Sequence, residues 1–352
     1  MSHIDILLPF GLPPPELASD LIRQLKTPAL AALLGRARSE QQAPEWQSFD
    51  GFENALPHET WLAHQFALAE NLAQGGSPPA AAAAMTMFGL KPDDGVWFLL
   101  QPVHIHVTRD HLVLMDQRQL LISEQESRTL FDLAEPLFSE IGMPLRYGDA
   151  HTWFMRADAW NALRTSTPDA ACGHNIDIWM PKGNGERDWR KLQNEVQMHW
   201  HEHALNQARE MRGQKPINSL WLWGGTPTAM LAEQTSARSP YTAAINLPEW
   251  MGALGQTRGM TAGQLISAAP QRGLLVLDAL LEAALAGDWG RWLGQMQDLE
   301  LHWFAPLLDA LKAGKISSIG LILNHNKELR GYRTSRMALR RFWLQPTLNK
   351  LL

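Results

Sequence analysis

Thirteen histidines and a single cysteine are the side chains to weigh first for chemistry in this 352-residue chain. His199, His201 and His203 recur at every second position. The surrounding period predicts one long helix from Asp188 to about Arg212, on which only His199 and His203 share a face. Such a pair can hold Zn²⁺ when a third His or acidic ligand joins it. His104 and His106 alternate on a predicted strand and point to one side. No Cys pair, His-Glu-x-x-His or acidic loop reinforces either cluster, so neither is read as a metal site. Cys172 stands beside Gly173-His174, the types a thiolate nucleophile and its base would need, but adjacency in sequence does not by itself define such a pair. No Gly-x-Gly-x-x-Gly follows the first predicted strand, and neither a Walker-type loop nor a Gly-x-Ser-x-Gly elbow is present.

The stretch with most chemical content runs from His203 through Asn206, Arg209, Gly213, Pro216 and Asn218 to Gly224-Gly225. It places His, Asn and Arg within about a turn and a half of helix, then a Gly stop, then a strand. His203, Asn206, Arg209 and Asn218 near one helix end could bind an anion. The same residues equally suit a helix–turn–strand corner in which Asn side chains satisfy backbone groups. The residues alone leave both readings open.

The elements that must position these groups alternate. Asp5–Leu8 reads as a short buried strand, stopped by Pro9 and Gly11. A helix is predicted from Glu16 to about Arg38, a polar loop over 39–54, and a helix from His58 to about Gln74. Strands are predicted over 95–100, 103–107 and 111–114. Ser123, with Glu126 three residues on, caps an amphipathic helix. Further strands fall near 145–147, 152–155, 219–223, 242–245, 273–277 and 319–323, with helices near 261–266, 277–286 and 289–313 between the later ones. Fully apolar strands between helices imply an α/β fold around a largely parallel sheet flanked by helices. The mixed segment 103–220 reads as an inserted α+β lobe, leaving 1–102 and 221–352 as the core domain.

Composition bounds the rest. Hydrophobic residues make up 45% and charged residues 19%, with net charge -5. No basic field exists to bind nucleic acid by counterion release. Arg333, Arg336, Arg340 and Arg341 form a short basic run, read as a solvated helix face, with a polyanion contact as the alternative. One cysteine excludes an internal disulfide and fits a reducing, cytoplasmic setting. Met1–Asp5 carries no positive n-region, so no secretory leader is expected. No window is long and apolar enough to span a bilayer, so no membrane partner is expected. The fifteen tryptophans imply a Trp-rich core, or else an aromatic surface for a protein partner.

The spacing of His203, Asn206, Arg209, Gly213, Pro216, Asn218 and Gly224 resembles a signature of the archaeal-type cofactor-independent phosphoglycerate mutases, with Ala204 and Leu205 replacing that family's Pro and Val. Thr165–Asp169 with Gly173, Ser123–Glu126, Lys26-Thr27-Pro28-Ala29-Leu30 and Ile6–Leu12 resemble further segments, so the likeness extends loosely over about 4–343. It implies the alkaline-phosphatase-like fold and, for an active member, two divalent metals and a phosphoryl-accepting serine.

The resemblance also implies where that centre would lie, and the expected residues are missing there. The family's first strand ends Asp-Gly with a metal-ligating Asp; this chain has Pro9-Phe10-Gly11. Its Gly-Ser-Asp/Glu is represented by Pro57-His58-Glu59, without serine. Its Asp-x-x-Gly-His has no counterpart around Asp288-Trp289-Gly290-Arg291, and its final Asp-His is Asn324-His325, with Arg333-Thr334-Ser335 downstream. Phe10, His58, Glu59 and His325 are therefore expected to mark a vacated centre that needs no metal cofactor. The expected role is regulatory or binding, with a small anionic or phosphorylated ligand at the His203–Asn218 corner. The alternative is an active mutase or phosphatase whose ligands have moved to residues such as His58, Glu59, His325 and one of His104 or His106, using Mn²⁺ or Mg²⁺.

Overall fold

A computed structural model describes residues 2–40, 54–68, 76–230, 239–254 and 259–352. The chain divides into two compact units. The first comprises 1–51, 239–248 and 254–352; the second comprises 52–238 and 249–253.

The first unit is built on a six-stranded sheet in the order β2 (Arg38–Glu40), β12 (Leu329–Ser335), β11 (Ser318–Asn324), β1 (His3–Leu8), β10 (Arg272–Val276) and β9 (Ala243–Ile245). The four strands from β11 to β9 run parallel, β12 runs antiparallel to them, and β2 pairs antiparallel with β12. The fold is α/β, as the apolar runs predict. Ile4, Ile6, Leu7 and Leu8 of β1 are fully buried, as expected for a central parallel strand covered on both faces. The single helix predicted over 16–38 is two helices, Pro15–Gln24 and Pro28–Arg36. Pro28 lacks the N–H an interior position needs, so it starts a new helix instead. Both carboxylate oxygens of buried Glu300 accept the Ala29 and Leu30 N–H groups at that new N-terminus. The first turn's anion site is thereby filled from within the fold. The helix predicted over 289–313 is interrupted by a π-helical turn at Glu300–Phe304, next to Pro306. Arg333 lies on β12 beside Glu40, not on a helix face as predicted.

The second unit holds a four-stranded antiparallel sheet ordered β6 (Leu145–Tyr147), β7 (Trp153–Arg156), β3 (Val96–Val103) and β8 (Ser219–Pro227), and a hairpin of β4 (Ile105–Val107) and β5 (Leu112–Leu114). This unit extends well beyond the predicted lobe 103–220. The reason is pairing: β3 runs between β7 and β8 and never joins the β1 sheet. The capped helix Glu124–Glu140 forms as predicted and packs on the helix Glu186–His201. Trp97, Trp153, Trp189 and Trp200 are buried here, with Trp153 and Trp200 edge to face at 5.9 Å. The tryptophans therefore largely fill cores, and among the described residues Trp343 is the exposed one.

The predicted loop over 39–54 and the C-terminal half of the helix predicted from His58 fall mostly outside the described residues. The described part of that helix spans Pro57–Gln65.

Candidate functional site

The His203–Gly224 corner is fully formed, and its polar side chains are engaged with the fold itself. The helix predicted to run through to Arg212 stops at His201, and His203 caps a second helix, Ala204–Met211. The His203 Nδ1 accepts the Leu205 N–H at 3.2 Å. His199 and His203 thus share no helical face, contrary to the sequence period. Asn206 donates to the Trp200 and Ile217 carbonyls and accepts from the Ile217 N–H, all within 2.9 Å. Asn218 makes the same reciprocal pair with the backbone of Ile105. Arg209 has no exposed surface; Nε donates to the Lys215 carbonyl, Nη1 to Glu126 at 2.9 Å and Nη2 to the Leu120 carbonyl. Gly213 stops the helix at φ 72°, where a side chain would be strained. The corner is an internal brace. The expected anion pocket at His203, Asn206, Arg209 and Asn218 is corrected accordingly: three of the four side chains are tied up inside the fold and the fourth is a helix cap.

A denser polar cluster lies elsewhere in the second unit. Pro57 starts a helix whose first turn carries His58 and Glu59, both 4% exposed. Glu59 Oε2 accepts the Leu56 N–H and the Thr167 hydroxyl, each at 2.7 Å. Thr167 caps the short helix Pro168–Ala171, which carries Asp169. Asp169 takes both terminal nitrogens of Arg118, at 3.2 and 2.8 Å, and Arg118 Nε donates to Asp116 at 2.8 Å. Burial and the neighbouring Asp169 push the Glu59 carboxyl up to about 8, against the hydrogen bonds it accepts. Burial lowers the His58 imidazole to about 4. Near neutral pH the pair is thus a protonated acid beside a neutral imidazole.

Cys172 and His174 do not form a nucleophile–base pair. Cys172 is buried, and burial with Asp116 and Asp169 nearby pushes its thiol up to about 12. His174 stacks on Trp179 at 6.0 Å. His104 Nδ1 donates to the Pro216 carbonyl at 2.8 Å, and its ring lies 6.1 Å from that of His106.

The carboxyl edge of the parallel sheet in the first unit is where the resemblance places metal ligands. Phe10 sits there, 4% exposed, at φ 55°. Its carbonyl accepts the Trp292 indole N–H at 2.9 Å. On the adjacent strand end, Asn324 turns its amide nitrogen to the His325 carbonyl, and its buried Oδ1 has no hydrogen-bond partner among the described residues. The His325 ring accepts the Lys327 N–H at 3.2 Å and approaches Glu328 at 3.5 Å. One amide oxygen and one imidazole do not make a two-metal donor set. Among the described residues no three His, Cys, Asp or Glu side chains form a metal-holding group. Phe10 and His325 belong to the first unit, His58 and Glu59 to the second.

No protein-family model matches the chain. A curated relative, the probable 2,3-bisphosphoglycerate-independent phosphoglycerate mutase of Geobacter sulfurreducens, is 24% identical over 219 residues. Over that stretch the chain is similar to a phosphoglycerate mutase. That match covers 54% of this chain and 54% of the relative, so it spans about half the relative's length. Among solved structures, the PH0037 protein of Pyrococcus horikoshii shares the fold at TM-score 0.51 and 12% identity, over 95% of this chain and 87% of that one. The cofactor-independent phosphoglycerate mutase of Thermoplasma acidophilum gives TM-score 0.45 and 14% identity, over 95% of this chain and 89% of the other.

In this chain the sequence signals the corner and the loop Thr165–Asp169, but not the role of Arg118. Arg118 is 51 residues from Asp169 along the chain, and no local pattern marks a partner at that distance. The Asp-x-Arg turn at Asp116–Arg118 is the sole local hint, because Asp116 caps it by accepting the Arg118 N–H.

Proposed function

We propose that this phosphoglycerate-mutase-like protein does not carry out two-metal phosphoryl transfer and acts instead by binding, in a regulatory role. The observation that supports the reading is Phe10. An apolar ring, buried and with its backbone tied to Trp292, stands where the resemblance calls for a metal-ligating Asp. The position that the resemblance gives to the serine nucleophile supports it too, since it holds His58, which has no hydroxyl. Among the described residues no donor set for the metals is formed, and the polar side chains hold structure. Arg118 clamps two loops, Thr167 orients Glu59, and Trp292 fixes the turn after β1.

A coupled assay for interconversion of 3- and 2-phosphoglycerate, run with purified protein and Mn²⁺ or Mg²⁺, tests this reading. The expected rate equals the buffer rate. Metal-dependent turnover that disappears in His325→Ala or Glu59→Gln would overturn it and favour relocated ligands.

A further inference from the structure

After β12 the first unit carries a turn with two exposed aromatic rings. Phe342 is 82% and Trp343 64% exposed, and the rings meet edge to face at 5.2 Å. Met337, 78% exposed, precedes them in the short helix Arg336–Leu339. The turn is well anchored. Ser335 caps the helix, Ala338 is buried, and Arg341 donates to the Ala338 carbonyl, Phe342 to Arg340 and Leu344 to Arg341. Just beyond, Thr347 donates to the Ala31 carbonyl at 3.1 Å. Gly35 faces that segment so closely that a Cβ there would meet the Gln345 carbonyl at 2.6 Å. A knob held at both ends loses little conformational freedom on contact.

The charges beside the knob are uncompensated. Arg333 is paired with Glu40, but Arg336, Arg340 and Arg341 make no ion pair among the described residues. The chain as a whole carries -5, so attraction of this turn to an anionic surface is local and acts within a screening length of about 8 Å.

We propose that this turn anchors the protein on an anionic lipid surface, with Phe342 and Trp343 entering the headgroup region and Arg340 and Arg341 meeting lipid phosphates. Charge complementarity selects the occupant, because arginine forks match phosphate oxygens and aromatic rings favour the bilayer interface. A convex knob also needs no socket, which a protein partner would have to provide. The absence of a helix long enough to cross a membrane among the described residues bears on spanning, which is distinct from surface binding. The proposal goes beyond the mutase-like reading and does not depend on it.

Cosedimentation of the full chain with vesicles of about 30% phosphatidylserine in phosphatidylcholine, against phosphatidylcholine alone, is the test. At least about tenfold more protein should pellet with the anionic vesicles. Arg340→Gln with Arg341→Gln, and separately Phe342→Ser with Trp343→Ser, should abolish the difference while thermal melting stays unchanged. Arg340→Lys with Arg341→Lys should retain most of it. Equal pelleting with both vesicle types overturns the proposal. So does sedimentation-velocity self-association removed by the same variants without lipid binding, which would assign the knob to a second copy of the chain.

Discussion

The carbonyl of Phe10 lies 2.9 Å from the Trp292 indole nitrogen and accepts its hydrogen. Trp292 is itself fully buried, so the bond anchors the turn after β1 to the helix Trp289–Leu299. A turn held this way presents a ring to the core and no oxygen ligand to the sheet edge. Phe10→Asp should therefore not recreate a metal site. It should destabilise the protein by about 3 kcal/mol, through a lost buried ring and an unpaired buried carboxyl. Urea denaturation with and without Mn²⁺ reads both effects, and protection by Mn²⁺ would contradict the account.

Arg209 and Glu126 define a second expectation. Burial works against the Glu126 carboxylate, yet hydrogen bonds from Ser123 and Arg209 outweigh it and hold its pKa below the ordinary value. The stability so gained is present above the unfolded value and lost as pH falls through the folded one. Arg209→Met should lower stability by about 3 kcal/mol, and His203→Ala by about 1 kcal/mol as the loss of a helix cap. Any rise in melting temperature with added phosphate should be the same in both variants as in the parent. A selective loss of phosphate protection would restore the anion-pocket reading.

How much of this was legible from the sequence differs by element. Strands β1, β10 and β11 stand out as apolar runs because both their faces are buried. The corner from His203 to Gly224 is visible as spacing, but its role is not, since Asn206 and Asn218 satisfy backbone groups that no pattern reveals. β12 escapes notice because Arg330 and Arg333 interrupt its apolar alternation, each paired with a glutamate. The unit boundaries are displaced because β3 has the composition of any buried strand, and its sheet is decided by partners far away in sequence.

Glu59 and His58 predict a particular pH dependence. An acid raised from 4.5 to about 8 gives stability that is whole below the unfolded value and lost as pH rises through the folded one. A histidine lowered from 6.5 to about 4 gives stability that is present above 6.5 and lost as pH falls toward about 4. The two trends offset one another below 6.5. Between about 6.5 and about 8 only the Glu59 decline remains. Chemical denaturation across that window should show falling stability, and Glu59→Gln should flatten the slope. An unchanged slope in the variant would remove Glu59 as its cause.

Cys172 should be inert in the folded protein. Its thiol is 8% exposed and its pKa is pushed up to about 12, so little thiolate exists at neutral pH. Ellman's reagent at pH 8 should label the unfolded chain quickly and the native chain only at the rate of opening. Rapid native labelling would mean that the polar cluster around Arg118 is open to solvent.

The proposed loss of two-metal chemistry is tested most directly by metal content. Protein purified in the presence of Mn²⁺ and passed through a desalting column should retain well under about one metal ion per ten chains by elemental analysis, because Phe10, Asn324 and His325 offer no two-metal donor set. Retention of about two ions per chain, lost on His325→Ala, would contradict the account.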